Sequence, residues 1–408
     1  MNTMRRIQAT LMVAIAGSIA VQAQSGPRIR TLSEQEVVDL MVGAAIQGTR
    51  SSDTAQMVNR AKSMLAGGKP FRIISVDDLP QDWTIVTAAG GIGGGGAWDY
   101  VRDRVKQQNL PSVPNGTAKA LEALSEHLGK KFNAVIRNEA AGATLNAFEV
   151  AADAGLPVVD ACPAGRAKPE VEQSLTFING LSVAPAALVT RWGDILFIDR
   201  VVDDYRYEDI ARAVAVASGG GVSNARGVLT AQQVKDVTIH GALTEAILFG
   251  RTVREAKEHG ANAVNALLKV SAGHKMFEGT VSRADQKGDR GFTWWDVYLS
   301  GTGPYVNHTY RIWVKNENIV SWLDGKPDVM SPDLIYNLDS ETGEALASAG
   351  LGSYPMGAHV TILARPALSP AWRTPKGIEI VGPRHFGFDF DYQPIELILN
   401  ERPKFGQP

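Results

Sequence analysis

Thiols are almost missing from this chain of 408 residues, and that absence excludes two kinds of site. Cys162 is the only cysteine, so no disulfide can close within the chain and no thiolate-rich zinc site can form. An excess of charge of one sign is also missing. Lys and Arg number 41 against 43 Asp and Glu, a net charge of −2, and without a basic face neither nucleic acid nor anionic lipid is expected as a partner. The seven histidines show no spacing of the H-x-x-x-H kind, so any metal site has to join distant segments, and a divalent metal is left open. Long apolar runs are confined to the start. Arg5 and Arg6 precede a nearly unbroken apolar stretch, Ala9 to Ala20, and Val21-Gln22-Ala23 offers small residues at the two positions a signal peptidase reads. That run is shorter than the roughly 20 apolar residues a bilayer demands. A cleaved signal peptide over residues 1–23 is therefore expected, with a periplasmic or secreted product that has no membrane span after cleavage.

What is present is ordinary globular composition: 44% hydrophobic and 21% charged residues, enough to bury a core. The length exceeds what one core usually serves, so two domains are expected. Leu32 to Ile46 has apolar residues at helical spacing, with Ser33 as N-cap and Glu36 three residues on. A second helix is expected over Thr54 to Leu65. Strand and helix then alternate. Phe71–Val76, Trp83–Ala88, Phe132–Arg137 and Leu156–Asp160 read as strands, and Ala118–Leu128 and Ala143–Ala154 as helices. This pattern predicts an α/β domain over residues 31–173 whose mostly parallel sheet is covered by helices. Residues 174–402 read as an α+β C-terminal domain. It begins with a hairpin around Gly193-Asp194 and with helices near Tyr207–Ser218 and Gly241–His259, separated by Gly219-Gly220-Gly221. From Phe277 onward short alternating runs such as WWDVYLSG, HVTILARP and IEIVG predict a β-barrel or sandwich.

Ligands of open α/β sheets sit beyond the carboxyl ends of the strands, and three strands here end in unusual loops. The first runs into AGGIGGGGAWD, where Gly91, Gly93 and Gly96 fit G-x-G-x-x-G. No acid-ended strand follows about 20 residues later, so no nucleotide is expected. Gly91, Gly93 and Gly94 are instead candidates for close backbone approach to a small ligand. The second loop, NEAAGATLNAF, places Glu139 between a strand end and a helix start, where an acid either caps the helix or faces a ligand; Asn146 follows in the first turns. The third, CPAGRAKPE, follows Asp160, a carboxylate on an otherwise apolar strand that either pairs with Arg166 or Lys168 or does chemistry. Cys162 is either a packed side chain or a nucleophile, and His240 stands at a helix start.

The run Ala134–Glu170, with GLPVVDACPAGRAKPE inside it, resembles the N-terminal domain of the S-methyl-thiohydantoin desulfurase family. Glu139, Asn146, Asp160, Gly165, Arg166, Pro169 and Glu170 occupy matching places. VKDVTIHGALTEAILFGR, the GFT of GFTWW, PDLIYNLDSETGE and VGPRHFGFD extend the resemblance over nearly the whole mature chain. The family's early glycine loop is here GTRSSDTAQ, and the Asp-Gly after VVDA is Cys162-Pro163. The resemblance implies an α/β domain followed by a β-barrel-containing domain, and work on hydantoin-like rings. The expectation is a hydrolase-type enzyme acting on a small hydantoin-like or S-methyl thiohydantoin ring. Glu139 or Asp160 would activate water, and Arg166 with the backbone amides of Gly91–Gly96 would stabilise the oxyanion. Gly91, Gly93, Gly94, Asn146, Cys162 and His240 are the candidate binding residues. The alternative is a non-catalytic exported binding protein on the same scaffold. A small-molecule ligand is the expected partner, and a homo-oligomer is left open.

Overall fold

The structure, a computed structural model, describes residues 27–50, 53–93, 98–109, 111–347 and 354–405. The expected signal peptide and Gly94 lie outside the described residues. Among those described, no helix is long and apolar enough to cross a membrane.

The N-terminal half is an α/β layer structure around an eight-stranded sheet. Its spatial order is Ile29–Thr31, Arg72–Ile74, Val158–Val159, Ala134–Arg137, Thr84–Gly93, Gly221–Thr230, Ala186–Thr190 and Ile195–Ile198. The four strands from Arg72–Ile74 to Thr84–Gly93 pair parallel, and the strands on either side pair antiparallel. The parallel strands are buried on both faces, and the period of two divides their side chains. Val86, Ala88, Val135 and Val158 join the core beneath the helices Glu34–Gln47 and Ala242–Glu258, whereas Ile85, Ala134, Ile136 and Val159 face Leu79 and Val234. The capping box of Ser33 and Glu36 forms as the spacing predicts. The helices Glu34–Gln47 and Ala242–Glu258 cross through glycines. A Cβ on Gly43 would stand 1.8 Å from Ala246 O, and one on Gly250 1.9 Å from Asp39 O.

The second sheet has seven antiparallel strands in the order Lys326–Met330, Glu317–Leu323, Thr309–Lys315, Phe292–Gly301, His274–Asp289, His359–Arg365 and Leu334–Asp339. Its inner face packs Phe277, Trp295, Tyr305, Tyr310 and Tyr354. Asn318 Nδ2 donates to Ile335 O and Asn337 Oδ1, both at 3.0 Å. These bonds tie the strand Glu317–Leu323 to Leu334–Asp339 and curl the sheet into a half-barrel.

Several local expectations change. Gly91 and Gly93 belong to a strand that runs on to Gly93, pairing with Gly221–Ser223, so the glycines extend the sheet edgewise before any loop begins. The segment after Gly219-Gly220 is a ten-residue strand, Gly221–Thr230; Asn224 and Arg226 hid its apolar alternation. The first sheet therefore continues past residue 173, taking in the hairpin around Gly193-Asp194 as well. IEIVG is helical: Thr374 accepts from Gly377 N as N-cap, and Pro375 opens the helix Pro375–Val381.

Candidate functional site

A cavity of about 200 Å³ opens where the two halves meet. The first sheet supplies Gly91 to Gly93 from one strand, Asn138 and Glu139 beyond the end of another, and Arg226 from Gly221–Thr230. The segment 168–171, Arg50, and Arg212 on the helix Asp204–Ala217 complete that side. The second sheet contributes Asn316 and Glu317 at the turn between two strands. The loop carrying Glu139 is fixed at both ends of its turn: Ala140 N donates to Arg166 O at 3.2 Å and Ala141 N to Ala44 O at 3.0 Å. Ala141 has φ +56°, a left-handed backbone that a non-glycine residue keeps only when its surroundings enforce it.

Glu139 lines the cavity, and its Oε2 accepts from Lys168 N at 2.8 Å. Burial raises its pKa, and Lys168, Arg226 and Arg212 oppose that rise without cancelling it. Lys168 shows the converse: burial, reinforced by Arg226, lowers its ammonium to about 8. Its Nζ donates to Glu170 O and Val171 O. Arg212 works as a clamp. It donates to Glu208 Oε1, Gly93 O, Gly291 O and Pro169 O, and Phe292 covers its guanidinium 4.2 Å from the ring centre. Glu317 is raised to about 8, first by burial and then by repulsion from Glu139. Glu139 and Glu317 are therefore reluctant to ionise although four cations line the same cavity.

Beside this cavity stands a second cluster. Glu170 lines the cavity and also a neighbouring one of about 690 Å³ that includes Trp98, Phe292 and Trp294. Lys315 Nζ donates to Glu170 Oε1, and His385 Nε2 lies 2.7 Å from Oε2. Burial alone would raise the Glu170 pKa; the His385 hydrogen bond and the Lys315 charge outweigh it and hold the pKa low. Glu172 lies next to this pair, with Oε1 3.9 Å from His385 Nε2.

Of the residues that the sequence singled out, Gly91, Gly93 and Glu139 meet at the cavity. Asp160 leaves the strand next to that of Glu139 in the same direction, but its carboxylate turns to the N-terminus of Ala242–Glu258. It accepts there from Leu243 N at 2.6 Å, Thr244 N and Thr244 Oγ1, which satisfies it as a helix cap. Arg166 neither pairs with Asp160 nor lines the cavity. It spans the two halves, donating to Ala167 O, Ser331 Oγ and Asn318 O. Cys162 is packed with Ala164 and Ala242, its Sγ accepting from Gly165 N. His240 is exposed and bonded to Lys235 O. Asn146 stands against Gly90, where a Cβ would meet Nδ2 at 2.6 Å. Sequence reasoning missed Arg50, Arg212, Arg226 and Glu317. Of these Arg50 lies in GTRSSDTAQ, the segment that stands where the family has its early glycine loop, and the other three left no local signal.

The S-Me-THD-like N-terminal domain matches residues 35–200, and the S-Me-THD-like C-terminal domain matches residues 202–395. The chain belongs to the S-Me-THD-like family. As an S-Me-THD-like protein it matches no curated protein. Its fold is similar to that in the crystal structure of a protein from Chromobacterium violaceum. That chain is 20% identical, with a TM-score of 0.71 over 90% of this chain and 100% of the other.

Proposed function

We propose that this S-Me-THD-like protein is a hydrolase-type enzyme acting on a small hydantoin-like or S-methyl thiohydantoin ring. The observation that carries the reading is Glu139, a carboxylate with a raised pKa facing a cavity of about 200 Å³ lined also by Arg50, Lys168, Arg212 and Arg226. Drug-sized ligands occupy roughly 300–1,000 Å³, so this cavity suits a ligand no larger than a single small ring. A carboxylate whose pKa is moved towards neutrality is a better proton acceptor for water at the working pH. In this reading Glu139 takes a proton from water as the oxygen adds to the ring carbon. The negative charge that develops on the ring is met by Arg226 and Arg212. With an S-methyl thiohydantoin the C–S bond then breaks, methanethiol leaves with a proton supplied from Lys168, and a hydantoin remains. Arg166 and Asp160 act at a distance, the one by joining the two halves and the other by anchoring a helix.

The test is incubation of the purified protein with an S-methyl thiohydantoin and with hydantoins. Methanethiol is followed with a thiol reagent and the ring by mass spectrometry. Glu139→Gln should lower turnover by about 10²- to 10⁴-fold, the usual contribution of a positioned general base, while ligand binding persists. A thermal shift with these rings but no product from the wild-type protein would favour the binding-protein alternative instead.

A further inference from the structure

We propose that Glu170, Glu172 and His385 bind one divalent first-row metal cation at the wall between the two cavities. Each residue offers one ligand atom, and the three atoms lie within 4.8 Å of one another. Carboxylate oxygen and imidazole nitrogen are both ligand atoms that zinc takes, and three of them leave room for water in a fourth position; carboxylates also suit manganese. Metal–ligand bonds of about 2.1 Å in a tetrahedral arrangement place neighbouring ligand atoms roughly 3.4 Å apart. The observed separations from His385 Nε2, 2.7 Å to Glu170 Oε2 and 3.9 Å to Glu172 Oε1, bracket that value. Small side-chain rotations would equalise them.

A second observation is independent of this spacing. Glu172 is 2% exposed, and its Oε2 has no hydrogen-bond partner. A buried carboxylate left short of donors is costly, and a cation bound by the same carboxylate offsets part of that cost. Its neighbours also hold the site in shape. Lys315 Nζ donates to Oε1 of Glu170 and Gln173 Nε2 donates to its Oε2 at 2.6 Å, so the group is positioned by two donors. His385 is set by the short helical turn Pro383–Phe386 and stands edge-on to Phe386. Access is provided by the cavities, both of which Glu170 lines. The assignment does not depend on the hydrolase reading, because metal content is measured without a substrate.

The experiment strips the full-length protein with a chelator, equilibrates it separately with Zn²⁺ and with Mn²⁺, removes free ion and counts bound metal by mass spectrometry. About one ion per chain should remain for at least one of the two. Glu172→Gln and His385→Gln should each weaken retention more than the 10- to 100-fold typical of losing an outer-shell partner. His308→Gln, which removes a half-buried imidazole paired with Asp324 and remote in sequence from the site, should retain the metal. Failure of the wild-type protein to hold either ion, or undiminished retention in both site variants, would overturn the assignment. Should the variants not fold, Co²⁺ added to the wild-type protein decides it. Visible bands of a low-coordinate nitrogen–oxygen site support the proposal, and a spectrum no different from aqueous Co²⁺ refutes it.

Discussion

Glu317→Gln tests the electrostatics of the cavity in the most direct way. Glu317 is buried, one of its oxygens lacks a partner, and burial and Glu139 together raise its pKa from 4.5 to about 8. Because the folded pKa is the higher one, the native protein keeps a proton that the unfolded chain has already released between about pH 4.5 and 8. The stability tied to this group is thus complete below pH 4.5 and is lost as pH rises through 8. At 1.36 kcal/mol per unit, the shift sets a ceiling of about 5 kcal/mol. The opposing pull of Arg50, Arg166 and Arg212 is already contained in that shift; relaxation around a buried charge lowers the cost, so roughly 2–3 kcal/mol is expected. Glutamine has the same shape and no charge. The variant should melt close to the wild-type protein at pH 4.5 and above it at pH 9, by roughly 1 °C per kcal/mol at this chain length. Tryptophan fluorescence melts across that range provide the assay. Melting curves that run parallel for the two proteins at all pH values, or a variant less stable at pH 9, would refute the reasoning.

Other outcomes follow from the same geometry. Asp160→Asn leaves the shape of the cap but removes its charge and one acceptor at the start of Ala242–Glu258, and should cost about 1–2 kcal/mol in denaturant melts. Any activity should persist at saturating substrate. Gly250→Ala places a methyl group 1.9 Å from Asp39 O and forces two helices apart; a loss of about 3 kcal/mol or failure to fold is expected, and a wild-type melting temperature would contradict the crossing. Cys162→Ser replaces a packed thiol with a group that still accepts from Gly165 N, and should cost about 1 kcal/mol with turnover intact. Complete loss of turnover in a folded Cys162→Ser protein would make Cys162 the nucleophile. N-terminal sequencing of the exported protein should begin at or near Gln24, whereas an intact Met1 on the soluble protein would dispose of the signal peptide.

Local rules settled much of this protein in advance. Ser33 and Glu36 cap the first helix because three-residue spacing alone aligns them. The strands around Val86, Val135 and Val158 are legible because burial on both faces leaves them continuously apolar. Glu139 could be named because a short strand followed at once by a helix leaves little freedom in where its side chain emerges. The partners of these residues could not be read from sequence. Asp160 sits in the same kind of position as Glu139, yet the helix start at Leu243, 83 residues further on, claims its carboxylate. Arg226 and Asn224 masked a strand that is buried only because the chain returns to Thr84–Gly93 after more than a hundred residues. Glu317 reaches the cavity only because the second sheet curls over the first, and His385 meets Glu170 across 215 residues. Residue type and short-range spacing fix helices, strands and caps, since those depend on neighbours within a turn or a pleat. The charge environment of a carboxylate depends on groups brought within a few ångströms by the whole packed chain, and only the tertiary structure determines that.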